Sequence, residues 1–258
     1  MSKSISVIIV LYNSLLKQTV PLGIAELAHS VSQIIVCDNS TQMNILKLNK
    51  QLAAKSDKIT YLDMDGNKGL AIAYNRALTV ATGDFVCILD DDTSLPVDFF
   101  EKIEAHVLET HAGVLLPLVL AQDGMVMSPN QRIGLRYGPF KDAEHIVNDS
   151  KMSAINSGIV IASKIYNRYR YDERYFVDMI DHQFMLDMHR THVNFEVMDD
   201  VVLHQDYSKI SDDRRTALNR LRIYARDSRI FYSGSLSEKI FRVVQIAYRL
   251  TNILFRKK

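Results

Sequence analysis

The sequence predicts an α/β protein: a mostly parallel sheet flanked by helices, with a C-terminal helical extension. Three observations predict it. From residue 5 to about 120, short β-branched runs alternate with stretches of helical spacing, the pattern of strand–helix–strand units whose strands lie parallel. The connections between them are short, which places consecutive elements side by side. One apolar run, 83–89, leads straight into Asp90, Asp91 and Asp92. That puts dense negative charge at the carboxyl edge of the sheet, where open α/β sheets bind ligands.

The elements follow in order. ISVIIVLYN (5–13) is a fully buried strand by its unbroken apolar run. Residues 20–30 have helical spacing, and SQIIVCDNS (32–40) is a second buried strand. A helix over 42–55 leads to the strand ITYLDMD (59–65), the turn GNKG (66–69) and an alanine-rich helix over 70–81. GDFVCILDDD (83–92) is the fourth strand, and a helix over about 97–110 precedes the strand AGVLLPLVL (112–120). The polar stretch 121–150 reads as a hairpin or loop, SAINSGIVIAS (153–163) as a strand, and 176–190 as a loop entering a helix. FEVMDDVVLHQDYS (195–208) is a final strand pair or strand and turn, after which the pattern becomes helical and basic.

Charge divides the chain at this last change. The formal net charge is +1, but residues 214–258 hold 12 Lys/Arg and 2 Asp/Glu, whereas 1–213 hold 19 basic and 28 acidic residues. An acidic body with a basic tail implies that the tail meets something anionic. The expected division is a catalytic body over 1–211, with a nucleotide-binding half to about 95 and an acceptor half from about 96, and a basic amphipathic tail over 212–258. Cys37 and Cys87 both fall inside apolar strands, as core thiols of a reducing compartment do. No signal peptide or bilayer-length apolar segment is evident in the sequence. No base-stacking or groove-reading pattern accompanies the basic residues, so nucleic acid is not an expected partner.

Several residue groups carry candidate chemistry. The triple aspartate has two readings: a site where Mg²⁺ or Mn²⁺ bridges carboxylates to a phosphorylated ligand, or a solvated acidic turn capped by Thr93 or Ser94. Asp38 ends the second strand, where it either accepts hydrogen bonds from a ribose or base or serves as a turn residue. Gly66 and Gly69 let the backbone approach a ligand, and the helix after them offers free N–H groups to phosphate. Asp178 and Asp181 lie among apolar residues before a helix, either as a base of raised pKa or as helix caps. His204 follows an apolar run at a strand end, either as a metal ligand or as a structural histidine.

Taken together, SVIIVLYN, IIVCDNS, GNKGLAIAYNRAL, FVCILDDDT, INSGIVI, FVDMIDHQF and VVLHQ resemble, in order and spacing over about 200 residues, the family 2 inverting glycosyltransferases. LDDDT, the Asn-Ser-Gly run and IYARDSRIFY (223–232) look most like bacterial rhamnosyltransferase-type members. The resemblance implies a Rossmann-like GT-A fold and roles residue by residue. Tyr12 and Asp38 would border the nucleoside. Asn67, Gly69 and Asn75 would shape the donor pocket. Asp90 and Asp91 would contact ribose or sugar, and Asp92 would bind the metal with His204 approaching it. Asn156, Ser157 and Gly158 would line the acceptor side, Arg226 would hold the leaving diphosphate, and Asp181 would be the base, with Asp178 as the alternative. Two positions depart from the family pattern: Gln183 stands where an acid is usual, and no glycine follows His204.

The implied reaction moves a sugar, rhamnose from dTDP-rhamnose first and galactose or glucose from UDP next, to a saccharide or lipid-linked acceptor in bacterial cell-surface polysaccharide synthesis. A non-catalytic sugar-binding relative is the other reading. A nucleotidyltransferase would carry a Gly-x-Gly-Thr-Arg loop where this chain has Val-Leu-Tyr-Asn-Ser. Residues 239–258 form a basic amphipathic helix suited to a membrane surface or to packing on protein, including a second subunit. The implied location is the cytoplasm, at the inner face of the cell membrane.

Overall fold

The computed structural model describes residues 2–121, 124–204 and 214–255. Among the described residues, ten strands form one sheet in the order β3-β2-β1-β4-β9-β5-β6-β7, with β10 paired to β5 and β8 to β6. The first half comprises β1 (Ile5–Leu11), β2 (Val31–Asp38), β3 (Ile59–Asp63) and β4 (Phe85–Asp90), all parallel. Between them run α1 (Val20–Leu27), α2 (Met43–Ala53) and α3 (Leu70–Leu78). The second half holds α4 (Phe99–Glu109), β5 (Val114–Leu120), β6 (Val126–Ile133), β7 (Arg136–Phe140), β8 (Met152–Ser153), β9 (Val160–Ala162), α5 (Ile180–Arg190) and β10 (Phe195–His204).

Alternation explains the layering. In β1, Ile5, Val7, Ile9 and Leu11 feed one core, with Phe99, Phe100 and Ile103 of α4. Ile8 feeds the other, with Ala73, Tyr74 and Ala77 of α3 and Phe184 and Met188 of α5. A strand buried on both faces needs the unbroken apolar run seen in the sequence. Cys37 and Cys87 are free and fully buried in these cores.

One expectation changes in the second half. The stretch 153–163 is not one strand: β8 and β9 are short, and a turn at 156–158 separates them, with Gly158 at φ +80°. The turn exists because Gly158 N–H donates to the Ile88 carbonyl at 2.8 Å and Ile88 N–H to the Ile159 carbonyl at 3.0 Å, stitching it to the end of β4. β9 then runs antiparallel between β4 and β5, breaking the parallel order where the two halves join.

The basic extension is helical, as two helices, α6 (Arg214–Phe231) and α7 (Leu236–Phe255). Ser235 and Glu238 start α7 reciprocally: Glu238 Oε2 accepts from Gly234 and Ser235 N–H, and Ser235 Oγ from Glu238 N–H. Arg249 lies 3.7 Å from the Tyr224 ring centroid, holding α7 to α6. α6 is docked on the body, burying Tyr224, Asp227 and Ser228. The expected boundary at 211/212, the end of the 195–208 stretch, and the terminal Arg256, Lys257 and Lys258 lie outside the described residues.

Candidate active site

Register builds the site. Leu11 lies beside Asp38 and Val10 beside Asp90, so β1, β2 and β4 end together. Beyond that edge opens a pocket of about 360 Å³, bringing together Tyr12, Asn39, Asn67, Gly69, Asp90, Asp91, Asp92 and Val177. The size suits a small ligand. Six of the residues expected at the site thus meet there: Tyr12, Asn67, Gly69, Asp90, Asp91 and Asp92.

The three aspartates differ by depth. Asp90 is pushed up to about 6, first by burial, then by the charges of Asp92 and Asp91, against a hydrogen bond from Ser157. Asp91 is also raised, by burial above all, although the Ser14 hydroxyl donates to it. Asp92 is exposed at the rim. Clustered carboxylate oxygens at one edge are the donor chemistry that hard divalent ions select, with phosphates and water completing the shell. Among the described residues no three His, Cys, Asp or Glu side chains converge as a ready-made cage. The residues present fit an ion shared with a phosphorylated ligand.

The glycine turn forms the opposite wall. Gly69 sits at φ +86°, and a Cβ there would lie 2.5 Å from the Phe176 ring and 2.6 Å from the Phe176 carbonyl. Leu70 N–H donates to that same carbonyl at 2.6 Å, so the N-terminus of α3 is locked to the segment leading to α5. Asn67 Oδ1 accepts from Gly69 N–H, and Asn39 holds both Lys68 N–H and the Gly69 carbonyl. Asn39 was not singled out in the sequence; its place after Asp38 at a strand end is the only signal.

Asp181 lies in the first turn of α5, where the helix dipole favours a carboxylate, and accepts from His182 N–H at 2.8 Å. Its neighbours on either side reach two different hollows: Val177 lines the acidic pocket and His182 stacks on Tyr137 of the β6–β7 hairpin. Asp178 faces elsewhere, into a hollow lined by Arg220, Tyr224 and Arg249. Burial, then the charge of Asp227, pushes it up to about 6. An isolated antiparallel bridge brings the backbone of His204 to Ser94, two residues past Asp92.

Other expected site residues do not line this pocket. Asp38 is fully buried and accepts from Ser40 N–H, Asn49 and Tyr61. Asn75 clamps a distant segment, exchanging hydrogen bonds with the Tyr171 backbone and donating to Glu173. Asn156, Ser157 and Gly158 are buried beside the end of β4. Ser157 Oγ is 2.6 Å from Thr93 Oγ1, and a Cβ on Gly158 would meet Leu203 at 2.7 Å. Arg226 covers the Phe176 ring at 5.2 Å, while its neighbour Asp227 is buried. Asp227 is fully buried and was missed, although it is one of only two acids after residue 213.

Comparison with known proteins agrees with this geometry. The mannosyltransferase PcManGT from Pyrobaculum calidifontis, solved with GDP-Man and Mn²⁺, superimposes with a TM-score of 0.63 at 15% identity over 98% of this chain and 74% of that one. S. aureus TarS 1-349 gives 0.58 at 16% identity over 98% and 72%. In sequence, the Bacillus subtilis (strain 168) protein named "Putative glycosyltransferase EpsE" is 36% identical over 92 residues, so the match spans 33% of each chain. The uncharacterized glycosyltransferase MJ1057 of Methanocaldococcus jannaschii is 20% identical over 95% of this chain and 87% of its own. The fold and its acidic edge pocket define a GT-A glycosyltransferase. The pattern of Glycosyl transferase family 2 matches residues 6–184, and the chain belongs to that family.

Proposed function

We propose that this glycosyltransferase moves a sugar from a nucleoside-diphosphate donor to a hydroxyl of a saccharide or lipid-linked acceptor, with inversion at the anomeric carbon. One observation carries the reading. The carboxylates at the end of β4, Asp90 to Asp92, share a pocket with the glycine-backed start of α3.

In this reading Tyr12, 55% exposed at the rim, faces the nucleoside, and Asn67 with Gly69 shapes the pocket around the donor. Asp90 and Asp91 accept hydrogen bonds from ribose or sugar hydroxyls. Asp92 holds Mg²⁺ or Mn²⁺, with His204 nearby. When bound, the ion neutralises charge developing on the leaving diphosphate. Asp181 accepts the proton of the attacking hydroxyl, a contribution of about 10²–10⁴ in rate. That hydroxyl approaches from the face opposite the diphosphate, so the anomeric configuration inverts. In this reading Asp181 is preferred to Asp178, which lines a separate hollow with Arg220 and Arg249.

The test is a donor screen on purified protein, reading nucleoside diphosphate release with Mg²⁺, Mn²⁺ or chelator, beside Asp92→Ala and Asp181→Ala. dTDP-rhamnose comes first, on the likeness of 89–93, 156–158 and 223–232, followed by UDP-glucose and UDP-galactose. GDP-mannose and UDP-N-acetylglucosamine join because related folds were solved with them. Metal-dependent turnover lost in both variants supports the roles. Calorimetry that detects no nucleoside diphosphate binding with either metal overturns the reading.

Membrane contact belongs to the same proposal. Among the described residues no helix is long and apolar enough to cross a membrane. α7 turns Leu236, Ile240, Val243, Val244 and Leu254 to solvent, as helices lying in a membrane surface do. Sedimentation with anionic vesicles supports this; equal recovery with and without them removes it. The implied site of action is the cytoplasmic face of the cell membrane.

A further inference from the structure

A second cleft, of about 510 Å³, lies between the β6–β7 hairpin, the start of α5 and the α6–α7 pair. No role has been given to it above. Its lining includes Arg136, Tyr137, Tyr232, Phe241, Tyr248 and Arg249, and no carboxylate. Met179 and His182, which flank Asp181 in sequence, also line it. The segment 177–182 therefore runs from the donor-side pocket, through Val177, to this cleft.

Three features define what the cleft can hold. Aromatic rings suit sugar faces, and Tyr137 is fixed flat on His182, with ring centroids 3.7 Å apart at 9°. The buried Tyr137 hydroxyl has no hydrogen-bond partner among the described residues, an unpaired polar atom that costs free energy until a ligand satisfies it. Arg136 and Arg249 stand over aromatic rings, Phe241 and Tyr224; Asp178 shares a neighbouring hollow with Arg249, but the cleft itself presents both guanidinium groups and no carboxylate. Guanidinium groups match phosphate oxygens in geometry and charge.

The third feature is continuity. Val244 and Tyr248 line the cleft and are also 54% and 61% exposed on the outer face of α7. That face carries Ile240, Val243, Leu250 and Leu254 onward, all exposed. The cleft thus opens directly onto an apolar strip longer than any sugar needs.

We infer that this cleft binds the acceptor, and that the acceptor is an amphiphile: a saccharide joined through a phosphate or diphosphate to a lipid. The sugar lies on Tyr137 beside Asp181, the anionic linker meets Arg136 and Arg249, and the lipid follows the outer face of α7. The assignment rests on the transferase reading for the role of Asp181, but the binding itself does not.

The chain contains no tryptophan, so Tyr248→Trp supplies a single reporter at the cleft mouth. Dodecyl diphosphate below its micelle concentration is titrated against inorganic diphosphate and dodecyl maltoside. The expected result is a saturable blue shift with dodecyl diphosphate, and binding at least tenfold weaker in Arg136→Ala and in Arg249→Gln, each checked by thermal unfolding. Arg136 is exposed, so its variant keeps the fold and the test. Binding equal in both arginine variants, or equal for dodecyl maltoside, overturns the anionic linker site. Saturation by inorganic diphosphate alone with the same affinity shows a phosphate site without the lipid and overturns the amphiphile. Displacement by a nucleoside diphosphate places the probe in the donor pocket and also overturns it. Calorimetry of nucleoside diphosphate on the unsubstituted protein tests the donor reading separately, so failure of one is distinguished from failure of the other.

Discussion

Asp227 Oδ2 lies 2.8 Å from the backbone nitrogen of Val177, fifty residues earlier in the chain. The same carboxylate accepts from Phe176 and Asp178 N–H at 3.1 and 2.9 Å. One buried charge from α6 therefore holds three consecutive amides of the segment that leads to Asp181. Asp227→Ala leaves those amides unsatisfied, at a cost of about 3 kcal/mol. We expect kcat to fall at least tenfold while the donor KM changes less than threefold, with Asp227→Asn intermediate. Steady-state kinetics beside denaturant unfolding checks this; a kcat unchanged in a folded Asp227→Ala protein refutes the positioning role.

The two glycines of the 66–69 turn separate backbone strain from crowding. Both have positive φ, but a Cβ on Gly66 meets nothing within 4 Å, whereas on Gly69 it meets Phe176 at 2.5 Å. Gly66→Ala should cost about 1–2 kcal/mol through φ alone and leave donor affinity within threefold. Gly69→Ala must also displace Phe176 and the Leu70–Phe176 hydrogen bond, so donor affinity should fall at least tenfold. Calorimetric titration of nucleoside diphosphate compares them, and equal affinities would mean that the contact with Phe176 does not shape the pocket.

Asp178 makes stability depend on pH. Its folded pKa, about 6, lies above the ordinary 3.8, raised by burial, then by Asp227, and opposed by Arg249 and Arg220. A raised pKa means that the folded state holds the proton more tightly. Its contribution is complete below about pH 4 and is lost as pH rises through about 6. Asp178→Asn should match the parent protein at pH 4 and exceed it by about 1–2 kcal/mol above pH 7. Urea unfolding at the two pH values reads the difference directly.

His106 acts in the next pH window. Its two ring nitrogens lie 2.7 Å from Glu196 and from Asp200, tying α4 to β10. Burial lowers its pKa, but the hydrogen bonds to Asp200 and Glu196 outweigh that and raise it above 6.5. The contribution is full below the ordinary histidine pKa and is lost as pH rises through the raised value. His106→Gln should flatten that part of the profile by less than about 1 kcal/mol, and an unchanged slope between pH 6 and 8.5 would show that the pair adds nothing.

The legible parts of the sequence were those whose signal is local. β1, β2 and β4 announce themselves because burial on both faces demands an apolar run, and Asp90–Asp92 because a charged cluster directly follows one. The hairpin of β6 and β7 falls in the polar stretch where a hairpin or loop was expected. The illegible parts depend on partners far along the chain. Asn75 finds its partners 96 and 98 residues away, and Asp38 is buried by Asn49 and Tyr61 from α2 and β3. Period and composition report whether a side chain is buried, not which group meets it. The same limit hid Asp227, an acid inside a basic helix whose partners are backbone amides.

The reversed strand β9 has a consequence for how the chain comes off the ribosome. β1 to β4 are complete by residue 90, but the open edge of β4 is closed only by residues 160–162. Synthesis at about 5–20 residues per second leaves that edge, with the apolar Val86 and Ile88, unpaired for several seconds. An uncovered strand edge is a template for pairing with another chain. The nascent first half therefore passes through an interval in which its open edge lies directly before Asp90, Asp91 and Asp92, and charged side chains are one of the devices that blunt an open strand edge.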